Sequence, residues 1–364
     1  MNRRIGVPVH IISPGAIDQL TGGFGFLRRI RDGLTARGED VQVHELPGPH
    51  PFVDEPSRRT ADHVFSMIPD GAAVLVDGLA LPVAAHALWV DRFRLRMTAL
   101  VHHPLHLEAG LDAEEAALLR RLERDTLAYV RRVIVPSRST AADVMALDVP
   151  EKRISVANPG TDRSAPATGS GTGGNGPALL CVASLTPRKG HLVLIEALSR
   201  LMHLPWRLVL VGAERHPGHE GVLRDAMAEH GIAARVDLLG ELAGDAVEQY
   251  WQGADIFVLP TFHEGYGMVA AEALVRGLPL VVSNVGALAE FVPPAAGGLV
   301  PAGDATALAR ALEPLIADPQ ARAHAAAAAR AAGSTLPTWD DTIGIIRSAL
   351  AATLASNPEI ERIA

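Results

Sequence analysis

Thr261-Phe262-His263-Glu264-Gly265-Tyr266-Gly267-Met268-Val269-Ala270-Ala271-Glu272-Ala273-Leu274 follows the apolar run Ile256-Phe257-Val258-Leu259-Pro260. The run reads as a buried strand, the glycine-bearing turn as a tight crossover, and 268–276 as a helix rich in alanine and leucine. Backbone N–H groups at such a helix N-terminus suit a phosphate. Two carboxylates frame the turn. Glu264 lies on it, whereas Glu272 is surrounded by Val269, Ala270, Ala271, Ala273, Leu274 and Val275, so its charge must find partners or shift its pKa. A plainer explanation exists for each: Glu is a good helix former, and Glu264 near a helix start complements the dipole. The rest of the chain has to decide between them.

Outward from this stretch, apolar strands alternate with helical segments, the rhythm of a parallel sheet with crossover helices. Strands are expected at 5–12, 41–46, 73–76, 97–101, 133–135 and 154–156, then at 178–183, 207–211, 236–239, 256–259 and 280–282. Helices are expected at 114–130, 140–145, 305–316 and 321–332, with an amphipathic one from Trp339 to about Leu354. Between the halves, 164–176 is poor in apolar residues and rich in Gly, Ser and Thr, which reads as a flexible linker. The expected domains are therefore 1–163 and 177–338, with 339–364 folding back on the first.

Polar residues emerge where the expected strands end, which is where ligands sit in parallel sheets. After the first strand come Gly22 and Gly23, whose missing side chains permit close approach of a phosphate or sugar. Asp77 follows the third strand and is placed to meet an acceptor hydroxyl. His102-His103-Pro104 follows the fourth, with His106 and Glu108 behind. A metal site there lacks the helical spacing that puts two imidazoles on one ion, and no Cys pair accompanies it. In the second half, Arg188 and Lys189 precede a helix and can neutralise a diphosphate, although Arg-Lys pairs are also ordinary surface residues. The order Gly22-Gly23-Phe24-Gly25 does not fit a dinucleotide fingerprint, which argues against an NAD-dependent oxidoreductase.

At 364 residues the chain exceeds the size at which one core stops growing, and 48% hydrophobic residues supply two. The net charge of −8 excludes a general nucleic-acid binder. No apolar stretch approaches the roughly 20 residues of a membrane span, and the start of the chain is no signal peptide, so a cytoplasmic protein is expected. The one cysteine, Cys181, lies in an apolar run and reads as a core thiol. The first 163 residues are close to neutral, with arginines grouped at Arg28, Arg29 and Arg31, at Arg92, Arg94 and Arg96, and at Arg120, Arg121, Arg124, Arg131 and Arg132. Solvated helix faces explain such runs. Contact with an anionic acceptor, or with the inner face of a membrane, is the alternative.

With these pieces placed, the chain resembles the retaining glycosyltransferases of family 4, which have the GT-B fold. Carrying the resemblance are Glu264 and Glu272 in their context and Gly277-Leu278-Pro279, supported by Gly22-Gly23, Val101-His102, Ser137, Asn158-Pro159-Gly160-Thr161-Asp162, Pro187-Arg188-Lys189-Gly190, Val211-Gly212 and Leu239-Gly240. The resemblance implies two Rossmann-like α/β domains with parallel sheets facing a central cleft, and a UDP-, GDP- or ADP-sugar held mostly by the second. It implies that Glu264 binds hydroxyls of the donor hexose and Glu272 the ribose diol. Arg188 and Lys189 would hold the diphosphate together with the turn at Gly265 and the N–H groups of Gly267, Met268 and Val269. His102 would line the sugar, and Gly22 and Gly23 would approach the phosphate or the acceptor. His102, Arg188, Lys189 and Glu264 are thus the expected catalytic residues. Many members carry Gly-Arg where this chain has Ala183-Ser184, so one phosphate-binding cation is missing. No Asp-x-Asp pair occurs, so a metal-clamped diphosphate lacks its ligands and no metal or other cofactor is expected. Rival readings are a nucleotide-sugar epimerase of the same architecture and a binding protein without catalysis.

Overall fold

A computed structural model describes residues 5–171 and 176–356. The first four residues, residues 172–175 of the expected linker and 357–364 of the expected carboxyl-terminal segment lie outside the described residues. Two compact units divide the chain: Met1–Gly160 with Pro337–Ala364, and Thr161–Leu336.

The first unit runs β1 (Val9–Ser13), α1 (Gly22–Ala36), β2 (Val41–Glu45), α2 (Glu55–Met67), β3 (Ala73–Asp77), α3 (Leu81–Asp91), β4 (Arg96–Leu100), α4 (Ala113–Tyr129), β5 (Arg132–Val135), α5 (Arg138–Met145) and β6 (Ile154–Val156). All six strands are parallel, in the order β2-β1-β3-β4-β5-β6. β1 and β3 are buried along their whole length, as strands covered on both faces must be. The direction of winding reverses between β1 and β3, and a ligand crevice belongs at the carboxyl ends there.

The second unit repeats the plan with β7 (Ala178–Val182), α6 (His191–Ser199), β8 (Arg207–Val211), α7 (His219–Glu229), β9 (Val236–Leu238), α8 (Asp245–Gly253), β10 (Ile256–Leu259), α9 (Met268–Val275), β11 (Leu280–Ser283), α10 (Leu288–Phe291), β12 (Gly297–Val300), α11 (Ala305–Ala317) and α12 (Pro319–Gly333). Its parallel order is β12-β11-β10-β7-β8-β9, so the reversal falls between β7 and β10. β12 is a sixth strand beyond the five expected. Its sequence, Gly-Gly-Leu-Val, has half the side chains that a strand pattern needs.

The carboxyl-terminal helix α13 (Trp339–Ala355) belongs to the first unit and packs on α1 and on β3 to β6. Gly33 makes room for it: a Cβ there would stand 2.5 Å from Ile343 Cγ1. Arg347 Nε donates to Glu39 Oε1 at 2.6 Å, and Glu39 is 6% exposed. Thr98 and Thr353 share a buried hydrogen bond of 2.9 Å.

Two expectations need correction. Part of the supposed flexible linker is strapped to the second unit: the N–H groups of Thr168 and Gly169 donate to the Gln252 carbonyl, and Ser170 Oγ donates to Asp255 at 2.6 Å. Small polar residues satisfy the open carbonyls at the end of α8, a role that composition does not reveal. Several grouped arginines likewise brace the backbone instead of forming solvated faces. Arg28 donates to the carbonyls of Ile17 and Gln19, both at 2.7 Å, and Arg94 to that of Phe65 at 2.8 Å. Arg131 donates to Ser356, whereas Arg120, which donates to Ala146 at 2.8 Å, stays exposed as expected of a solvated face. A five-donor guanidinium suits such loop ends. Among the described residues no helix is long and apolar enough to cross a membrane.

Candidate functional site

The expected donor-binding residues of the second unit come from two loops that leave neighbouring strands at the winding reversal. One follows β7 and forms a single turn, Pro187–Lys189, before α6. The other follows β10 and leads through Glu264 into α9. Glycine lets them touch: Gly190 has φ +70°, and a Cβ on it would lie 2.0 Å from the Pro260 carbonyl oxygen. Hydrogen bonds then lock the pair. Phe262 N donates to the Arg188 carbonyl at 2.8 Å, and the fully buried Thr261 hydroxyl lies 3.1 Å from that carbonyl and 2.9 Å from that of His263. Arg188 Nη1 donates to the His263 carbonyl at 2.8 Å. Lys189 Nζ donates to Glu264 Oε2 at 2.6 Å, with 11% and 13% of the two side chains exposed.

The turn is held from its other side by the segment after β11. A Cβ on Gly286 would stand 1.9 Å from the Glu264 carbonyl oxygen, and Ala287 N donates to that oxygen at 3.3 Å. Gly267, at φ +92°, is the N-cap of α9 and brings no side chain to cap it. The helix therefore opens with backbone donors at Met268 and Val269 and with its dipole unneutralised by a cap, the arrangement that draws an anion. Glu272 lies one turn further along, half-buried among buried Ala270, Ala271 and Ala273. Thus Arg188, Lys189, Glu264, Gly265, Gly267, Met268, Val269 and Glu272 are gathered on two adjoining loops and one helix.

His102, Gly22 and Gly23 belong to the first unit, at the carboxyl ends of its strands. Gly22 and Gly23 are not a loop but the first two residues of α1, capped by Thr21. The His102 ring lies against Gly23, 3.5 Å from where a Cβ would be, and meets Phe26 edge-on at 5.9 Å. Asp77, expected to meet an acceptor, instead bonds within the chain: its Oδ2 lies 2.8 Å from His102 Nε2 and its Oδ1 accepts from Leu79 N at 2.9 Å. The neighbouring histidines also have carboxylate partners, His103 with Glu108 at 3.0 Å and His106 with Glu123 at 2.7 Å. Among the described residues no three His, Cys, Asp or Glu side chains stand close enough to share a metal ion.

Nothing in the sequence signals what three residues do to hold the turn. Thr261, Gly190 and Gly286 hold the turn through carbonyl oxygens, and a glycine that clears another segment's carbonyl looks in sequence like any other. His191, the first residue of α6, is equally unmarked there and is 1% exposed. Burial, assisted by the neighbouring His219 and Lys189, holds its imidazolium pKa down at about 3. Cys181 is fully buried, which pushes its thiol up to about 12.

Two doubly wound parallel sheets with a cation-and-carboxylate turn at the reversal of the second define a class, the GT-B glycosyltransferases. Residues 6–165 match the family model described as Glycosyltransferase Family 4, and residues 168–332 match Glycosyl transferases group 1. The chain belongs to this family of glycosyltransferases. It is 30% identical over 254 residues to D-inositol 3-phosphate glycosyltransferase of Nocardia farcinica, covering 63% of this chain and 56% of that one. It is 31% identical over 198 residues to a GDP-mannose-dependent phosphatidylinositol monomannoside mannosyltransferase of Corynebacterium glutamicum, covering 52% and 50%. The matches span about half the length of these curated relatives. Among solved structures, sucrose-phosphate synthase from Thermosynechococcus elongatus has a TM-score of 0.80 at 20% identity, covering 96% of this chain and all of that one. Anabaena HepE, crystallised with UDP and glucose, has a TM-score of 0.72 at 20% identity and covers 96% and 99%.

Proposed function

We propose that the protein transfers a hexose from a nucleotide-diphosphate sugar to an acceptor hydroxyl with retention of anomeric configuration. The observation that carries the reading is the Lys189–Glu264 pair, 2.6 Å apart beside the uncapped start of α9, with Arg188 on the same turn. Breaking the anomeric C–O bond builds negative charge on the leaving diphosphate. Fixed cations and helix-terminal N–H groups stabilise that charge more in the transition state than in the ground state. Arg188 and Lys189 supply the cations, and Gly267, Met268 and Val269 the N–H groups. Glu264 accepts from hydroxyls of the donor sugar, and Glu272 from the ribose diol, which the two oxygens of a carboxylate fit. His102 bonds a hydroxyl of one of the substrates.

Support comes from the family membership and from HepE, a fold neighbour solved with UDP and with UDP-glucose. The relatives named above act on inositol phosphate and on a phosphatidylinositol mannoside, which makes phosphorylated polyols the first acceptors to try. Thermal-shift screening of UDP, GDP and ADP tests the donor. A ligand at 100 times its dissociation constant adds about 2.7 kcal/mol, so the matching nucleotide raises the melting temperature. If none of the three does, the reading fails. NMR of the product then decides the stereochemistry, and an inverted anomeric centre would rule out retention.

A further inference from the structure

β3 and β4 end side by side, with Asp77 paired in register to Leu100. Gly78 then lets the chain turn tightly past β4: a Cβ there would stand 3.1 Å from the Leu100 carbonyl oxygen and 3.3 Å from Val101 Cα. The consequence is that the Asp77 carboxylate, with 5% of its side chain exposed, reaches the imidazole two residues beyond the end of β4. Each of its oxygens has a separate duty, Oδ1 accepting from Leu79 N and Oδ2 facing His102 Nε2 at 2.8 Å. An ionised carboxylate can only accept, so Nε2 has to carry a proton. In the neutral imidazole Nδ1 is then left with its lone pair. Gly23 and Phe26 pack against the ring and fix its plane.

We infer that Asp77 is a positioning residue: it holds His102 in the Nε2–H tautomer, so that Nδ1, on the far edge of the ring, accepts a hydrogen bond from a sugar hydroxyl. The inference rests on the proposed sugar transfer for its effect on turnover, but not for its effect on the tautomer. Asp77→Asn separates the possibilities because an amide has only one oxygen. That oxygen stays with Leu79 N, which leaves the NH2 group facing Nε2. Nε2 must then accept, and the proton moves to Nδ1.

The test is the imidazole ¹⁵N correlation spectrum of the full-length protein at about pH 8, above the ordinary histidine range, with the His102 signal assigned by its loss in His102→Gln. The wild type should show the Nε2–H tautomer and Asp77→Asn the Nδ1–H tautomer. Turnover in Asp77→Asn should fall on the order of 10–100-fold, as when the carboxylate orienting a histidine is lost, with nucleotide affinity unchanged. Added to His102→Gln, Asp77→Asn should cost no further turnover, since a residue acting through His102 has nothing left to act on. An Nδ1–H tautomer in the wild type overturns the inference, as does an equal loss in both backgrounds. If the wild type transfers no sugar, the activity reading fails, while the wild-type tautomer still decides the role of Asp77. That measurement also stands if Asp77→Asn does not fold.

Discussion

Lys189 and Glu264 neutralise each other at 2.6 Å while mostly shielded from water, so changing either one leaves the other exposed to a new electrostatic problem. Glu264→Gln keeps the shape and removes the charge. Loss of a charge-assisted hydrogen bond to the sugar costs about 1.5–3 kcal/mol, so turnover should fall roughly 10–100-fold, while Lys189, no longer neutralised, holds free nucleotide diphosphate at least as tightly as before. Glu272→Gln should do the reverse, weakening nucleotide binding by a similar factor with less effect on chemistry. Isothermal titration with the nucleotide identified by thermal shift separates the two. Equal binding to wild type and Glu272→Gln would remove Glu272 from the ribose. Cys181 gives a control at the same scale: with its thiol pushed up to about 12 and no exposure, it should resist iodoacetamide in the native protein and react only after denaturation.

At the scale of elements, α13 is attached to the first unit by a buried charge pair. Arg347→Met would strand the Glu39 carboxylate, which also accepts from Ile5 N at 3.0 Å. Breaking such a pair costs roughly 3–5 kcal/mol, whereas an apolar pair in its place is often neutral. Urea melts should therefore show Arg347→Met strongly destabilised, and the double change Glu39→Met with Arg347→Met restored toward the wild type. An equal loss in both would mean that the cost comes from Arg347's own contacts and not from a stranded Glu39 carboxylate. That stripe, Ile343, Ile346 and Leu350, was legible in the sequence because helical periodicity survives without knowledge of the partner. Central strands such as β3 and β10 were legible for a related reason: strands buried on two faces must be almost continuously apolar. The thin strand β12, the strap at 167–170 and the bracing arginines were not. Their roles depend on carbonyl oxygens that the fold brings to them, and carbonyl positions have no signature in side-chain pattern. The residues expected to bind the donor stand together as a motif in the sequence, but the direct Lys189–Glu264 bond depends on two loops 75 residues apart. It became visible only with the strand order.

The two units share a plan, and each buries a histidine whose pKa burial lowers, His10 in the first and His191 in the second. The second unit buries His191, both of whose ring nitrogens lack a hydrogen-bond partner among the described residues. Folded, this imidazole has its pKa lowered from 6.5 to about 3, with burial the largest cause; unfolded, it returns to the ordinary value. Above pH 6.5 both states are neutral, and the group makes stability no function of pH. As the pH falls from 6.5 toward 3 the unfolded chain takes up a proton that the folded chain refuses, so stability is lost by up to about 1.4 kcal/mol per pH unit. His219 is shifted the same way by burial and by His216, which adds to the trend. His191→Leu removes the refused proton and leaves an apolar side chain of similar size in the core. Its unfolding free energy, followed by urea melts between about pH 7 and pH 4, should therefore fall less steeply than that of the wild type by close to one proton. Carboxylate titrations act equally on both proteins and cancel in the difference. Parallel curves would mean that His191 is protonated in the folded state, and burial at the start of α6 would then not be what keeps it neutral.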